Sequence, residues 1–199
     1  MNIRHTLAAL ILLVAWPVHA NATHPAQDLV VDSTNTVLDL LSENAELIKN
    51  DKTFVVKTIE DYIEPHLDLE AMTKLAVGKN WRKAKTDQRT ELVAQFRQLL
   101  INTYSNALSQ YSGQSIDFLP YRKNKREDRA VVRSEFKQTG GAAIPITYKL
   151  RDKGGWRIYD IAIDGISLVT NYRTGFSNRI NAEGIDGLIA ELKSKNAGS

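Results

Sequence analysis

Apolar residues recur at near-helical spacing through the first half of this chain and at alternate positions through much of the second. Leu29, Val30, Val37, Leu38, Leu40, Leu41, Leu47 and Ile48 follow the first pattern and predict a helical N-terminal region. Asn50-Asp51 offers a break and an N-cap for a second helix, in which Phe54, Val55, Ile59 and Ile63 form a stripe that Pro65 ends. Asp68 can cap a third helix carrying Leu69, Met72, Leu75 and Ala76, with Gly78 as its C-cap. The strongest helical pattern covers residues 86–111. There Leu92, Phe96, Leu99, Leu100, Thr103, Tyr104, Ala107, Leu108 and Tyr111 share one broad face, Thr86 or Asp87 can cap the start, and Gly113 closes the end.

After Gly113 the period drops from about 3.6 to 2. Ile116, Phe118 and Pro120 alternate with Asp117 and Leu119, and Ala130, Val132, Ser134 and Phe136 alternate with Val131, Arg133, Glu135 and Lys137. Ile144, Ile146, Tyr148 and Leu150 share one face of the next strand, and Trp156–Ile163 forms the last. Gly140-Gly141 and Gly154-Gly155 read as hairpin turns, so the sheet is antiparallel. Two more helices, over residues 170–182 and 185–195, complete the chain. Helices, then an antiparallel sheet, then helices make an α+β domain.

The first twenty residues stand apart. Arg4 gives a positive start, residues 7–16 are an apolar run too short to span a bilayer, and Val18-His19-Ala20 places small residues for cleavage before Asn21. Residues 1–20 are therefore expected to be a cleaved signal peptide, and residues 21–199 a single domain with a short, flexible lead-in over 21–27. The chain holds no cysteine, so no lipoprotein anchor and no disulfide is expected, a usage common in a bacterial periplasm. Lys and Arg number 26 against 23 acidic residues, and loss of Arg4 lowers the formal charge from +3 to +2. So slight a charge does not argue for nucleic acid.

Catalytic chemistry finds little footing. Of four histidines, only His66 falls in the folded body, and no Gly-x-Ser-x-Gly elbow or phosphate-cradling glycine loop is present. Metal ligation would need more His or Cys, so no metal or other cofactor is expected. Glu64-Pro65-His66 reads as a helix-ending turn before it reads as a ligand pair. Asp160 and Asp164 could serve acid–base work, but Asp164-Gly165 is a turn former and Asp160 fits a satisfied polar group. Arg122, Lys123, Lys125, Arg126 and Arg129 form a basic run diluted by Glu127 and Asp128. It reads either as a docking patch for an acidic partner or anionic head groups, or as a solvated loop, the more ordinary reading. The apolar faces admit a filled core and a ligand cavity equally well.

One segment narrows the choice. Trp156-Arg157-Ile158-Tyr159-Asp160-Ile161-Ala162-Ile163-Asp164-Gly165-Ile166-Ser167-Leu168-Val169-Thr170-Asn171-Tyr172-Arg173, followed by Phe176, closely resembles the signature of the MlaC family, the periplasmic phospholipid-binding components of the Mla lipid-transport system, also called the toluene-tolerance auxiliary family. Gly184-Ile185-Asp186-Gly187-Leu188-Ile189 is similar to that family's C-terminal end. The stretch with Tyr104, Ala107, Leu108 and Tyr111 is similar to its long central helix. The resemblance spans essentially residues 21–199, is specific over 156–189 and looser before residue 80. Gly140-Gly141-Ala142-Ala143, ahead of Ile144, departs from the pattern.

The resemblance implies a twisted antiparallel sheet of about four strands, wrapped by N- and C-terminal helices around an apolar cavity. It implies a periplasmic carrier, not an enzyme, that takes up the two acyl chains of a phospholipid and leaves the head group near solvent. It implies exchange with an outer-membrane lipoprotein–porin complex and with an inner-membrane ABC transporter bearing a lipid-binding ring subunit. On this reading Tyr104, Leu108, Ile144, Ile146, Tyr148, Ile161, Ile163, Ile166, Leu168 and Val169 are expected to line the lipid site, and Ile144→Asp or Ile166→Asp to empty it. An isomerase or hydrolase of cone-shaped fold remains the alternative, as does an adaptor without ligand. The first would place a buried carboxylate of raised pKa in the cavity.

Overall fold

Polar caps and prolines set the helix boundaries of the N-terminal half. In the computed structural model, which describes residues 24–138 and 140–198, α1 (Pro25–Glu43) starts on His24, whose Nδ1 accepts the Ala26 N–H at 3.2 Å. His24 also stacks on Tyr121 with ring centroids 4.2 Å apart and meets Trp156 edge-on. The lead-in expected to be flexible is therefore ordered from His24 onward, because a proline in the first turn and ring packing hold it. The expected signal peptide and residues 21–23 lie outside the described residues.

Asn44 interrupts the helix before α2 (Ala45–Asn50), and the Asp51 carboxylate caps α3 (Lys52–Thr58) by accepting the N–H groups of Thr53 and Phe54. A π-helical turn, Ile59–Ile63, follows, and then a 3-10 turn, Glu64–His66, at Pro65. Asp68 caps α4 (Leu69–Val77) through the Ala71 N–H at 3.1 Å. The long helix α5 (Thr86–Ser109) is capped one residue earlier than Thr86 or Asp87. Lys85 has the extended conformation, and its N–H donates to the Gln88 side chain at 3.0 Å.

Among the described residues five strands follow in the order β1-β2-β3-β4-β5, every neighbour antiparallel. These are β1 (Ser115–Phe118), β2 (Arg129–Lys137), β3 (Ile144–Asp152), β4 (Trp156–Ile163) and β5 (Ile166–Ser167). The fifth strand is two residues long and lies beyond the Asp164-Gly165 turn, where both φ values are positive, 50° and 78°. Such a turn folds a strand directly back on its predecessor. The chain then enters α6 (Arg173–Ala197), in which Gly184 at φ 73° leaves helical geometry, so α6 consists of two helical segments meeting at Gly184, as the two expected C-terminal helices required.

Register decides which side chains reach the interior. β2 offers Ala130, Val132 and Ser134, opposite Leu150, Tyr148 and Ile146 of β3. Between β3 and β4 the register slips: Leu150 pairs with Ile158, yet Lys149 pairs with Asp160. The extra residue is a β-bulge, and it turns Ile158 and Ile161 to the same face although they are three apart. Asp160 points the other way and is fully satisfied, accepting from Lys149 Nζ at 2.9 Å and from Ser167 Oγ at 2.5 Å.

Buried apolar side chains gather in three separate clusters. One joins the start of α1 to the sheet through Val30, Val132, Leu150 and Ile158. A second joins α4, α5 and α6 through Met72, Phe96, Phe176, Leu188 and Leu192. The third joins the end of α1 to α2, α3 and α5 through Leu41, Ile48, Val55 and Ile101.

Asp68 ties the helices to the sheet. Its N–H donates to the Ile158 carbonyl at 2.8 Å, one carboxylate oxygen caps α4, and the other binds the Arg151 guanidinium. Asp68→Ala should cost about 3 kcal/mol, about 1 for the cap and the rest for the stranded, mostly buried guanidinium. Asp68→Asn keeps an acceptor at the cap and should cost about half as much. Urea midpoints at unchanged slope measure both, and equal losses would show that the cap contributes nothing and that the whole cost lies in the lost charge facing Arg151.

Candidate functional site

The three clusters do not merge, and the space between them is a cavity of ≈ 290 Å³. One wall is α5, which contributes Arg97, Leu100, Ile101, Tyr104, Ala107 and Leu108. These positions recur every three or four residues and form one stripe running about 16 Å along the helix at its rise per residue. Opposite stands the sheet, with Ile146 and Tyr148 from β3, Ile161 and Ile163 from β4, and Leu168 just beyond β5. The floor is made by Ile59 and Ile63 of the π turn, by Glu64 and Leu67, and by Leu69 and Met72 of α4.

Seven of the ten residues picked out by sequence stand in this wall: Tyr104, Leu108, Ile146, Tyr148, Ile161, Ile163 and Leu168. Three stand elsewhere. Val169 is fully buried in the helical cluster with Phe96 and Phe176. Ile144 pairs with Phe136 at the far end of β3, two residues beyond the wall. Ile166 is 61% exposed on β5, paired to Ile163, which is itself 38% exposed. The tight turn swings Ile166 out past the opening.

Sequence periodicity could have found Leu100 and Ala107, which share the helix face of Tyr104 and Leu108. Ile59 and Ile63 lay on the stripe with Phe54 and Val55, but the π turn alters the helical spacing that would aim them at the cavity, and Glu64 carried no periodic signal.

The wall is apolar apart from one ion pair, Arg97 and Glu64. Arg97 Nε donates to Glu64 Oε2 at 2.8 Å, and its Nη2 reaches Glu60 Oε1 at 2.7 Å. Glu64, the one carboxylate in the wall, is thus bound to a guanidinium held by two acids, which raises the already high pKa of Arg97. Asp160 lies on the opposite face of the sheet. Among the described residues, Glu64 is the only carboxylate that lines the cavity, and it is paired with Arg97.

Burial shifts two phenols of the wall. Burial, helped by the nearby Tyr172, pushes Tyr104 up to about 12 from its ordinary 10.0. Burial also raises Tyr148, against the opposing effect of hydrogen bonds from Ser134 and Thr34. A phenol held neutral in the folded state ionises first in the unfolded chain, so stability must fall as pH rises from 10 towards 12. Tyr104→Phe should remove part of that slope. Urea midpoints at pH 9.5 and 11.5 (roughly half a unit outside the ordinary phenol value and inside the raised one) measure it, and equal losses in both proteins would contradict the burial of this hydroxyl.

Comparison with known proteins agrees with this geometry. The chain is 28% identical to the toluene tolerance protein ttg2D of Pseudomonas putida over 197 residues, covering 94% of this chain and 91% of that protein. It is 22% identical to the intermembrane phospholipid transport system binding protein MlaC of Haemophilus influenzae over 169 residues, 83% and 79% of the two chains. Among solved structures, the phospholipid-binding protein of Ralstonia solanacearum in complex with a phospholipid superposes with a TM-score of 0.80 at 28% identity, over 88% of this chain and 98% of that one. The sequence model of the MlaC protein family matches residues 31–194, and the chain belongs to the MlaC family.

Proposed function

We propose that this protein is a periplasmic phospholipid carrier, released from a signal peptide over residues 1–20, that holds acyl chains in the cavity between α5 and the sheet. The observation that carries the reading is the cavity itself: ≈ 290 Å³ with an apolar wall whose two charged side chains, Arg97 and Glu64, are paired with each other. An apolar space of this kind does not retain water well, and it suits a hydrocarbon chain. The relative from Ralstonia solanacearum is described in complex with a phospholipid, which supports the same ligand class here.

Burying one CH₂ is worth about 0.8 kcal/mol, so each acyl carbon that enters the cavity adds that much before costs. A bilayer offers nearly the same burial. The carrier therefore needs only to match a membrane, and the direction of transfer is set by its partners. Those partners are an outer-membrane lipoprotein–porin complex on one side and an inner-membrane ABC transporter with a lipid-binding ring on the other. Among the described residues no helix is long and apolar enough to cross a membrane, in keeping with a protein that moves between them. Carriage breaks no bond, so the reading requires neither a catalytic group nor a cofactor.

Native mass spectrometry of the protein purified from a periplasm without detergent should show a stoichiometric adduct of phospholipid mass, recovered on organic extraction. Ala107→Trp, which adds bulk to an exposed position in the wall, should abolish the adduct. Ile166→Asp should retain it, since that side chain stands outside. A clean apo mass for the wild type, with no lipid taken up from vesicles, would overturn the proposal.

A further inference from the structure

The basic run after Tyr121 has no part in the cavity, but the fold gathers two of its five cations into a second depression. Arg126 and Arg129 meet Lys74 and Leu75 of α4, Arg151 of β3 and Tyr159 of β4 around a pocket of ≈ 500 Å³. Strand alternation places it on the outer face of the sheet, because Arg129, Arg151 and the bulge residue Tyr159 point away from Ala130, Leu150 and Ile158. We propose that this pocket is a docking site for an acidic segment of a partner protein.

Charge carries the argument. Four cations line the pocket, and two carboxylates answer them. Asp128 is shared between Arg126 at 2.7 Å and Arg129 at 3.6 Å, and Asp68 is taken up by Arg151 and the cap of α4. Lys74 is exposed, and its ammonium has no ion-pair or hydrogen-bond partner among the described residues. Arg129 lies over the Tyr159 ring at 5.3 Å, which holds its planar donor fork in a fixed orientation of the kind that carboxylates match. The pocket is concave, floored by Leu75 and Val131, and a flat bilayer surface cannot enter it. An acidic side chain on a protein segment can. Contacts of this type act chiefly on encounter rate and salt dependence, as transient docking requires. The inference goes beyond lipid carriage and does not depend on it.

The test uses the full chain and a fluorescein-labelled peptide of alternating glutamate and glycine, followed by anisotropy across a salt series. The wild type should bind, more weakly as salt rises. The double variant Lys74→Glu, Arg129→Glu should bind about tenfold or more weakly, as should Lys74→Glu, Arg126→Glu, which leaves the Arg129–Tyr159 stack intact. Lys49→Glu, Lys52→Glu, with the same net charge but on α2 and α3, should bind as the wild type does. Undiminished binding in both pocket variants, or an equal loss in the control pair, would overturn the proposal. So would binding to phosphatidylglycerol vesicles that requires Lys74 and Arg129 when the peptide does not bind. The phospholipid adduct by native mass spectrometry should be the same in the pocket variants and the wild type, and its loss there would show that the pocket is not a separate site.

Discussion

The sheet and α5 face one another across a gap that neither can close. Leu100, Tyr104 and Leu108 stand on one side, and Ile146, Tyr148, Ile161 and Ile163 on the other, pointing at each other without interdigitating. For a sealed cavity the missing contacts cost about 24 cal/mol per Å³, so 290 Å³ corresponds to about 7 kcal/mol. That is comparable with the whole stability of an ordinary domain, about 5–15 kcal/mol. The cavity is not sealed, since Ala107 and Ile163 in its wall are exposed, which softens the penalty but leaves apolar wall against solvent. The empty cavity is thus the less favourable state, and an apolar occupant restores the contacts that the fold withholds.

The gap persists because each of its walls is fastened elsewhere. On α5, Phe96 packs edge-on against Tyr172 and Phe176, while Ile101 is committed to the cluster with Leu41 and Val55. The sheet is anchored by α1 through Val30 and by the Leu67–Asp68 segment, which bridges β4 at Ile158. The Arg97 link to Glu60 and Glu64 spans from α5 to the π turn. Collapse would require one of these attachments to break, and each holds a buried apolar group or a charge whose partner would be stranded.

The helices and strands were readable from periodicity because each buries one face, and the strong caps Asp51 and Asp68 fell where their side chains and spacing said they would. What escaped was irregular. The bulge at Tyr159-Asp160 lets Ile158 and Ile161 share a face, so a strict alternation would have turned one of them outward. The π turn at Ile59–Ile63 supplies the floor, and a turn of that kind has no distinct sequence period. Ile144 and Val169 are apolar and of the right parity or neighbourhood, but whether such a residue lines a cavity or fills a core depends on what stands opposite, and that is a tertiary fact. Ile166 was misplaced by a tight turn visible in the sequence but not in its consequence, a two-residue strand that carries the side chain beyond the rim. Arg126 and Arg129 were visible as charge. Their convergence with Lys74 and Arg151, distant in sequence, was not.

One short helix separates the two depressions. On α4, Leu69 and Met72 face the cavity, while Ala71, Lys74 and Leu75 face the basic pocket. At 100° per residue these sets lie on opposite sides of a nine-residue helix. A disturbance on one side could reach the other only by moving the helix as a body. Its N-terminal end is held by Asp68, through the Ile158 carbonyl and Arg151. At its other end the Leu75 carbonyl accepts two hydrogen bonds from Arg173, at 2.9 and 2.7 Å. A helix fixed at both ends to the elements on either side does not translate readily. The geometry therefore favours two sites that act separately, one selecting by apolar volume and the other by charge.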